Sequence, residues 1–360
     1  MERSAVVPVL VLLSSFLVSC CVASQGDRQS TYRLCTESCE KSGCIDQVCF
    51  SNCKHPVNGV NKDGMSEEPH TPPLLAAFEE WDCKSECRYQ CMMDTESKRA
   101  AIGEAPLKYH GKWAFTRMLN LQEPASVFFS VLNLLVHLQG VVSFYFLVHY
   151  KLPQRALQLG GKSPYYEFWG IWIIYGLLSI NSWLWSAVFH SRDMPITEQL
   201  DYSSAIALLG YTLIVTIIRT GNLRIEAAQV MVAAPILAFI TTHILYLNFY
   251  QFDYGLNMKV CVSLGIAQLL LWSGWAGLTR HPHRFKLLFV VVGTALAILL
   301  EVFDFAPVWG VLDAHALWHA VTVPLTVFWW SFIKDDARWR TSSVVNRVKA
   351  TAEADSRKEK

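Results

Sequence analysis

The stretch ASVFFSVLNLLVHLQGVVSFYFLV, Ala125 to Val148, decides the fold. It contains no Asp, Glu, Lys or Arg. Coiled as a helix it is long enough to cross about 30 Å of hydrocarbon. A helix in water would carry a charged outer face, and this one has none. Six more stretches of the same kind follow, near Phe168–Phe189, Tyr202–Ile218, Val230–Tyr250, Met258–Leu278, Leu287–Phe303 and His315–Ile333. The third is among the shortest and its limits are the least defined. From residue 125 to 333 only 19 of 209 residues are charged, against 42 of the other 151. No water-soluble domain covers its surface with so few charges. The expected fold is an all-α membrane protein, a seven-transmembrane-helix bundle over 125–333. That excludes a soluble enzyme, a nucleic-acid-binding domain and a disordered scaffold. The formal net charge of +1 adds no field that would gather polyanions.

Toward the N-terminus, residues 1–23 read as a signal peptide. Arg3 gives the basic start and Val6 to Val18 is an apolar run. Cys21-Val22-Ala23 supplies the small-residue cleavage pattern, with Ser24 as the mature start. The alternative is an uncleaved anchor, but the run is short for a span. The segment that follows, 24–124, is then delivered to an oxidising lumen. It holds eight cysteines: Cys35, Cys39, Cys44, Cys49, Cys53, Cys83, Cys87 and Cys91. An even number in such a compartment reads as four disulfides, with the pairing open. A metal cluster is the competing reading, and the spacings lack the Cys-x-x-Cys pattern of zinc knuckles. Too little apolar periodicity is present for a large core, so covalent links would hold this small lumenal domain. Gly59 to Pro73 reads as an exposed loop, and no Asn-x-Ser/Thr sequon occurs in the chain.

Lys and Arg in the connectors set the orientation. Connectors 149–167, 219–229 and 279–286 hold Lys151, Arg155, Lys162, Arg219, Arg224, Arg280, Arg284 and Lys286. The alternate connectors hold only Arg192 and Lys259. The first set faces the cytosol, as does a tail at 334–360. The first span then starts in the lumen, where the signal peptide independently puts it.

Ionisable groups inside apolar spans are costly and mark function by default. Three clusters qualify. Ser186 and His190 sit four apart at the end of span two, on one helix face. Asp201 opens span three within Glu198–Ser204. His315 and His319, again four apart, open span seven behind Asp313. By the expected topology all three clusters lie near the lumenal face. Two imidazoles at i, i+4 can serve one metal, and three leave a tetrahedral position open, as in catalytic zinc sites. His190, His315 and His319 are therefore the expected Zn2+ ligands. Asp201 is the expected proton acceptor or histidine-orienting group, and Ser186 a donor to water or an oxyanion. A bis-histidine haem pair is the competing chemistry, but His315 and His319 face the same way. His137 and His243 read as helix-packing groups, with His243 near enough to the lumenal side to support the site. Glu301 and Asp304 could reach the site but read first as interfacial, and Trp169, Trp329 and Trp330 as interface belts.

These residues resemble the signature of the CREST superfamily of seven-span membrane hydrolases. Within it the chain resembles the GPI-remodelling phospholipases, the post-GPI-attachment-to-proteins factor three family. The similar blocks are Trp81-Asp82-Cys83 with Cys87, Tyr89 and Cys91; Lys108 to Trp113; Asn181-Ser182-Trp183 to Arg192-Asp193; Leu200 to Ser204; and Asp313 to His319. They span nearly the whole mature chain, and the five signature positions show no departure. The resemblance implies a zinc-dependent hydrolase that removes the unsaturated sn-2 acyl chain from GPI anchors. GPI-anchored proteins and membrane lipids would be its partners, and the endoplasmic reticulum or Golgi its location. Two alternatives stand beside it: a ceramidase-like amidase, and a non-catalytic receptor or escort with a structural zinc.

Overall fold

The computed structural model describes residues 24–46, 48–53, 81–156 and 162–358. The expected signal peptide and the expected loop at 59–73 lie outside them. The described chain forms two compact units. One comprises residues 124–304 and the chain from 314 onward. The other comprises the described residues before 124 together with 305–313.

The smaller unit is a pair of helices with short hairpins. Helix α1, Ser30–Ser42, stops at Gly43, whose φ of 72° suits a residue without a Cβ. Helix α2, Cys83–Ala101, starts on Asp82, whose carboxylate accepts from the Ser85 amide at 2.9 Å. Cys35 and Cys39 share one face of α1, and Cys87 and Cys91 share one face of α2. They join as Cys35–Cys91 and Cys39–Cys87, two rungs between antiparallel helices. Cys44–Cys49 closes the hairpin of β1 (Cys44–Ile45) and β2 (Val48–Cys49), and Cys53–Cys83 ties it to the start of α2. All eight cysteines are thus oxidised, which removes the metal-cluster alternative for this unit. The buried core around them is small: Tyr32, Cys39, Cys53, Cys87, Cys91 and Tyr109. Tyr109 lies in the hairpin of β3 (Lys108–Tyr109) and β4 (Lys112–Trp113), and its hydroxyl donates to Glu96 at 2.7 Å. Arg117 lies between the rings of Trp81 and Tyr89, 3.5 and 3.9 Å from their centroids, and donates to Glu86 at 2.9 Å. Residues 305–313 join this unit through the Thr116 amide, which donates to Gly310 O at 2.8 Å. A Cβ on Gly310 would lie 2.4 Å from Thr116 Oγ1, and its φ is +73°. Only glycine fits there.

Among the described residues the larger unit is a bundle of seven long helices. They are α3 (Pro124–Phe146), α4 (Trp169–Ser191), α5 (Pro195–Thr220), α6 (Glu226–Phe249), α7 (Tyr254–Leu278), α8 (Arg284–Val302) and α9 (Ala314–Lys358). A π-helical turn, Leu147–Lys151, extends α3, and a hairpin of β5 (Gln154–Ala156) and β6 (Lys162–Pro164) leads to α4. Among the described residues six helices are long and apolar enough to cross a membrane. The chain is therefore a multi-pass membrane protein. The seventh long helix, α8, has 19 residues, with Arg284 and Lys286 in its first turn and Glu301 at its end. Helix α5 starts seven residues earlier than the apolar window suggests, because Glu198 and Asp201 lower the hydropathy of its first turns. Helix α9 continues without a break from the last apolar span through the residues after 333 to Lys358. Its Lys, Arg, Ala and Glu are strong helix formers and nothing interrupts them.

Helix α3 packs on both α4 and α9. The series α3, α4, α5, α7, α8, α9 closes on itself, with α6 laid against α5. On α3 a stripe at helical spacing faces inward: Ser126, Ser130, Asn133, His137, Gly140 and Phe144. Small and polar residues suit such a face in lipid, where close approach and hydrogen bonds hold helices together. A Cβ on Gly140 would lie 2.4 Å from the Trp330 indole. Trp330 is a core residue 2% exposed, donating to His137 Nδ1 at 3.2 Å. That corrects its reading as an interface belt. His137 is the packing group expected. His243 is too, meeting Asn257 at 3.1 Å across α6 and α7.

Candidate metal centre

His190 lies one residue from the end of α4, and His315 and His319 occupy the first two turns of α9. The helices run in opposite directions, so both sets fall at one end of the bundle. His190 and His319 are 4% and 1% exposed. His315 keeps 36% of its side chain accessible, so the cluster opens on that side. The three ring nitrogens converge. His315 Nε2 lies 3.3 Å from His190 Nε2 and 2.9 Å from His319 Nε2. One ligand atom from each histidine falls within 4.8 Å of the others. Tetrahedral ligands about 2.0–2.1 Å from a zinc ion sit roughly 3.3 Å apart. Two of the three separations, 3.3 and 2.9 Å, are near that value, and the three histidines are those that the sequence reading brought together.

The outward nitrogens have partners of their own. Glu301, in the last turn of α8, places Oε1 2.6 Å from His315 Nδ1. Ser130 on α3 places Oγ 2.9 Å from His319 Nδ1. A hydrogen bond at Nδ1 fixes the tautomer and leaves Nε2 free as a ligand, the usual arrangement behind metal-bound histidine. Asn133 pins the same turn of α9, its Nδ2 donating to His319 O at 3.0 Å and to Thr322 Oγ1 at 3.1 Å. Trp183 and Trp318 wall the site, with ring centroids 5.2 and 5.1 Å from His319. The donor set, its spacing and its Nδ1 partners all fit a divalent ion.

Ser186 is buried one turn before His190, and its Oγ lies 3.1 Å from Ser130 Oγ. It is therefore linked to His319 through Ser130. Asp201 is half-buried in the second turn of α5, the helix that follows His190 in the chain. It belongs to the same end of the bundle, and its carbonyl accepts from Ser204 Oγ at 2.9 Å.

A family model, described as the Per1-like family, matches residues 73–337. The chain belongs to the Per1-like family. Its curated relatives match it nearly end to end. A Danio rerio protein named GPI-specific phospholipase A2-like PGAP3 is 36% identical over 327 residues, covering 90% of this chain and 94% of the relative. The Homo sapiens protein of the same name is 34% identical over 316 residues, 87% and 89% of the two chains. A Drosophila melanogaster protein named Post-GPI attachment to proteins factor 3 is 32% identical over 327 residues, 90% and 93%.

In this Per1-like chain the sequence reading missed Ser130 and ranked Glu301 too low. Glu301 could reach the site from the end of its span, but it reads first as interfacial because it ends an apolar run. Its histidine lies across the 305–313 connection, and only the pairing of α8 with α9 brings them together. Ser130 carries no charge and escapes a search for ionisable groups. The usable signal was the period of Ser126, Ser130, Asn133 and His137 within a span otherwise apolar.

Proposed function

We propose that this chain is a zinc-dependent acyl-ester hydrolase of GPI lipids, releasing the sn-2 fatty acid during remodelling of GPI-anchored proteins. The convergence of three imidazole nitrogens at one end of a membrane bundle carries the reading, and the relatives' names supply the substrate class. His190, His315 and His319 hold the ion, which when bound supplies Lewis acidity to the ester carbonyl and to the attacking water. Asp201 takes the proton that water loses on attack and returns it to the departing glycerol oxygen. Ser186 donates its hydroxyl hydrogen to the carbonyl oxygen as negative charge develops there. The products are a free fatty acid and a lyso-GPI. An ester just beneath the headgroups lies at the depth of a site near the ends of spanning helices. In this reading the site faces the lumen of the endoplasmic reticulum or Golgi, an orientation that the distribution of Lys and Arg among the connectors supports.

The test is direct. The full chain, purified in nanodiscs, is analysed for metal and given a GPI-anchored protein as substrate. One zinc per chain, with fatty acid and lyso-GPI formed, is the expected result. Release of sphingosine from ceramide instead would make it an amidase. Zinc without turnover of either lipid would make the ion structural. Unchanged GPI turnover in His190→Ala would remove the site.

A further inference from the structure

We infer that Ser130 is a positioning residue that fixes the tautomer of His319 and the hydrogen-bond direction of Ser186. This rests on the hydrolase reading above. Helix α3 lies between α4 and α9, and Ser130 is the point where it touches both sets of site residues. Its side chain is fully buried. Its one oxygen lies 2.9 Å from His319 Nδ1 and 3.1 Å from Ser186 Oγ.

The direction of this chain follows from proton counting. A histidine that ligates through Nε2 has no proton there, so a neutral ring carries its proton on Nδ1. Nδ1–H then donates to Ser130 Oγ. Ser130 accepts that bond, and its single hydrogen is left to donate to Ser186 Oγ. Ser186 accepts in turn, and its own hydrogen points onward. Loading the three histidines thus sets both serines in one sense and makes Ser186 a donor toward the reacting oxygen. With Nε2 protonated, Nδ1 would accept and the sense would reverse. Ser186 could then only offer a lone pair, which repels a developing oxyanion. Ser130 therefore acts at two points, metal retention through His319 and oxyanion contact through Ser186. In this role it works through His319 and Ser186, the two residues its hydroxyl meets.

The experiment compares Ser130→Ala, Ser186→Ala and the double variant in the full chain. Zinc affinity is read by chelator competition and kcat and KM by acyl release. Ser130→Ala is expected to weaken zinc about tenfold, the usual effect of removing a histidine's outer partner. Ser186→Ala is expected to leave zinc affinity unchanged. In kcat the two losses should fall short of multiplying, with little change in KM, because Ser130 acts through Ser186. Ser130→Thr keeps the hydroxyl and should restore zinc affinity. Nitrogen NMR of histidine-labelled, zinc-loaded wild type should show His319 protonated at Nδ1, and needs no variant to fold. An unprotonated His319 Nδ1, wild-type zinc affinity in Ser130→Ala, or kcat losses that multiply would each overturn the role of Ser130. A wild-type chain that binds no zinc would instead overturn the hydrolase reading itself.

Discussion

Two clusters of buried polar residues occupy opposite ends of the same bundle, and they differ in what they lack. At the far end Arg219 holds Asp336 with both Nη2 and Nε, the latter at 2.8 Å. Tyr166 donates to the same carboxylate at 2.6 Å, and Trp172 Nε1 donates to Tyr166 at 2.9 Å. His281 Nε2 lies 3.3 Å from the other Asp336 oxygen. Every charge there has its opposite within the chain, and the cluster joins α4, α5, α9 and the turns before α4 and α8. At the histidine end three ring nitrogens converge on one another, with the Glu301 carboxylate behind His315 Nδ1 rather than among them. A cluster whose opposite charges meet one another is structural, since they compensate each other's desolvation. A cluster of ring nitrogens facing one another suits a cation, the reading proposed above. Burial alone would not separate the two.

The sharpest way to break this comparison is to remove one member from each end. His319→Ala takes away a ligand and should abolish acyl release and zinc binding together. The helices should stay folded, because no buried charge is left behind. Circular dichroism of the purified variant checks the second point. Unfolding equal to that of a core truncation would mean that the histidines hold the bundle up.

Asp336→Ala is the converse. It strands a guanidinium that is 3% exposed, a change that costs about 3–5 kcal/mol. The thermal midpoint should fall by many degrees, and the remaining folded protein should still bind zinc. A variant with wild-type melting behaviour would show the ion pair to be dispensable.

The disulfide-rich unit offers a third, smaller contrast, because covalent bonds replace the burial that stabilises the bundle. Replacing Cys35 and Cys91 with serine opens a rung spanning 56 residues. A loss of about 2–4 kcal/mol is expected in that unit. Strong reduction should likewise loosen it while zinc stays in the bundle, measured as metal retained after desalting. Zinc lost on reduction would tie the cysteines to the metal after all.

How far the sequence carried these readings depends on the kind of signal. The spans were legible because charge vanishes over long runs, a property of single segments. His190, His315 and His319 were legible because i, i+4 spacing and helix direction are enough to bring them to one end. The number of disulfides followed from a count, but the pairing of Cys35 with Cys91 and Cys39 with Cys87 needed the antiparallel docking of α1 on α2. Trp330 was misread for a related reason. A tryptophan near a span end is interfacial on average, and only the notch at Gly140 reveals that this one turns inward. Glu301, Ser130 and the Asp336 cluster each depend on which helices are neighbours, and that information is not local.

The smallest predicted effect tests whether the two ends differ in kind. Glu301 is a carboxylate beside a histidine, as Asp336 is beside His281, yet its side chain keeps 28% of its surface against 1% for Asp336. Solvent screens it, so removing its charge should barely move stability. Glu301→Gln keeps an acceptor for His315 Nδ1 and deletes only the charge that strengthens the ring as a ligand. Zinc affinity should drop about tenfold, roughly 1.4 kcal/mol, with the melting curve of the metal-free protein unchanged. Asp336→Asn should do the reverse, lowering the melting curve and leaving zinc affinity alone. If both substitutions moved stability and neither moved metal binding, Glu301 would be one more structural anion, and the two ends would differ only in exposure.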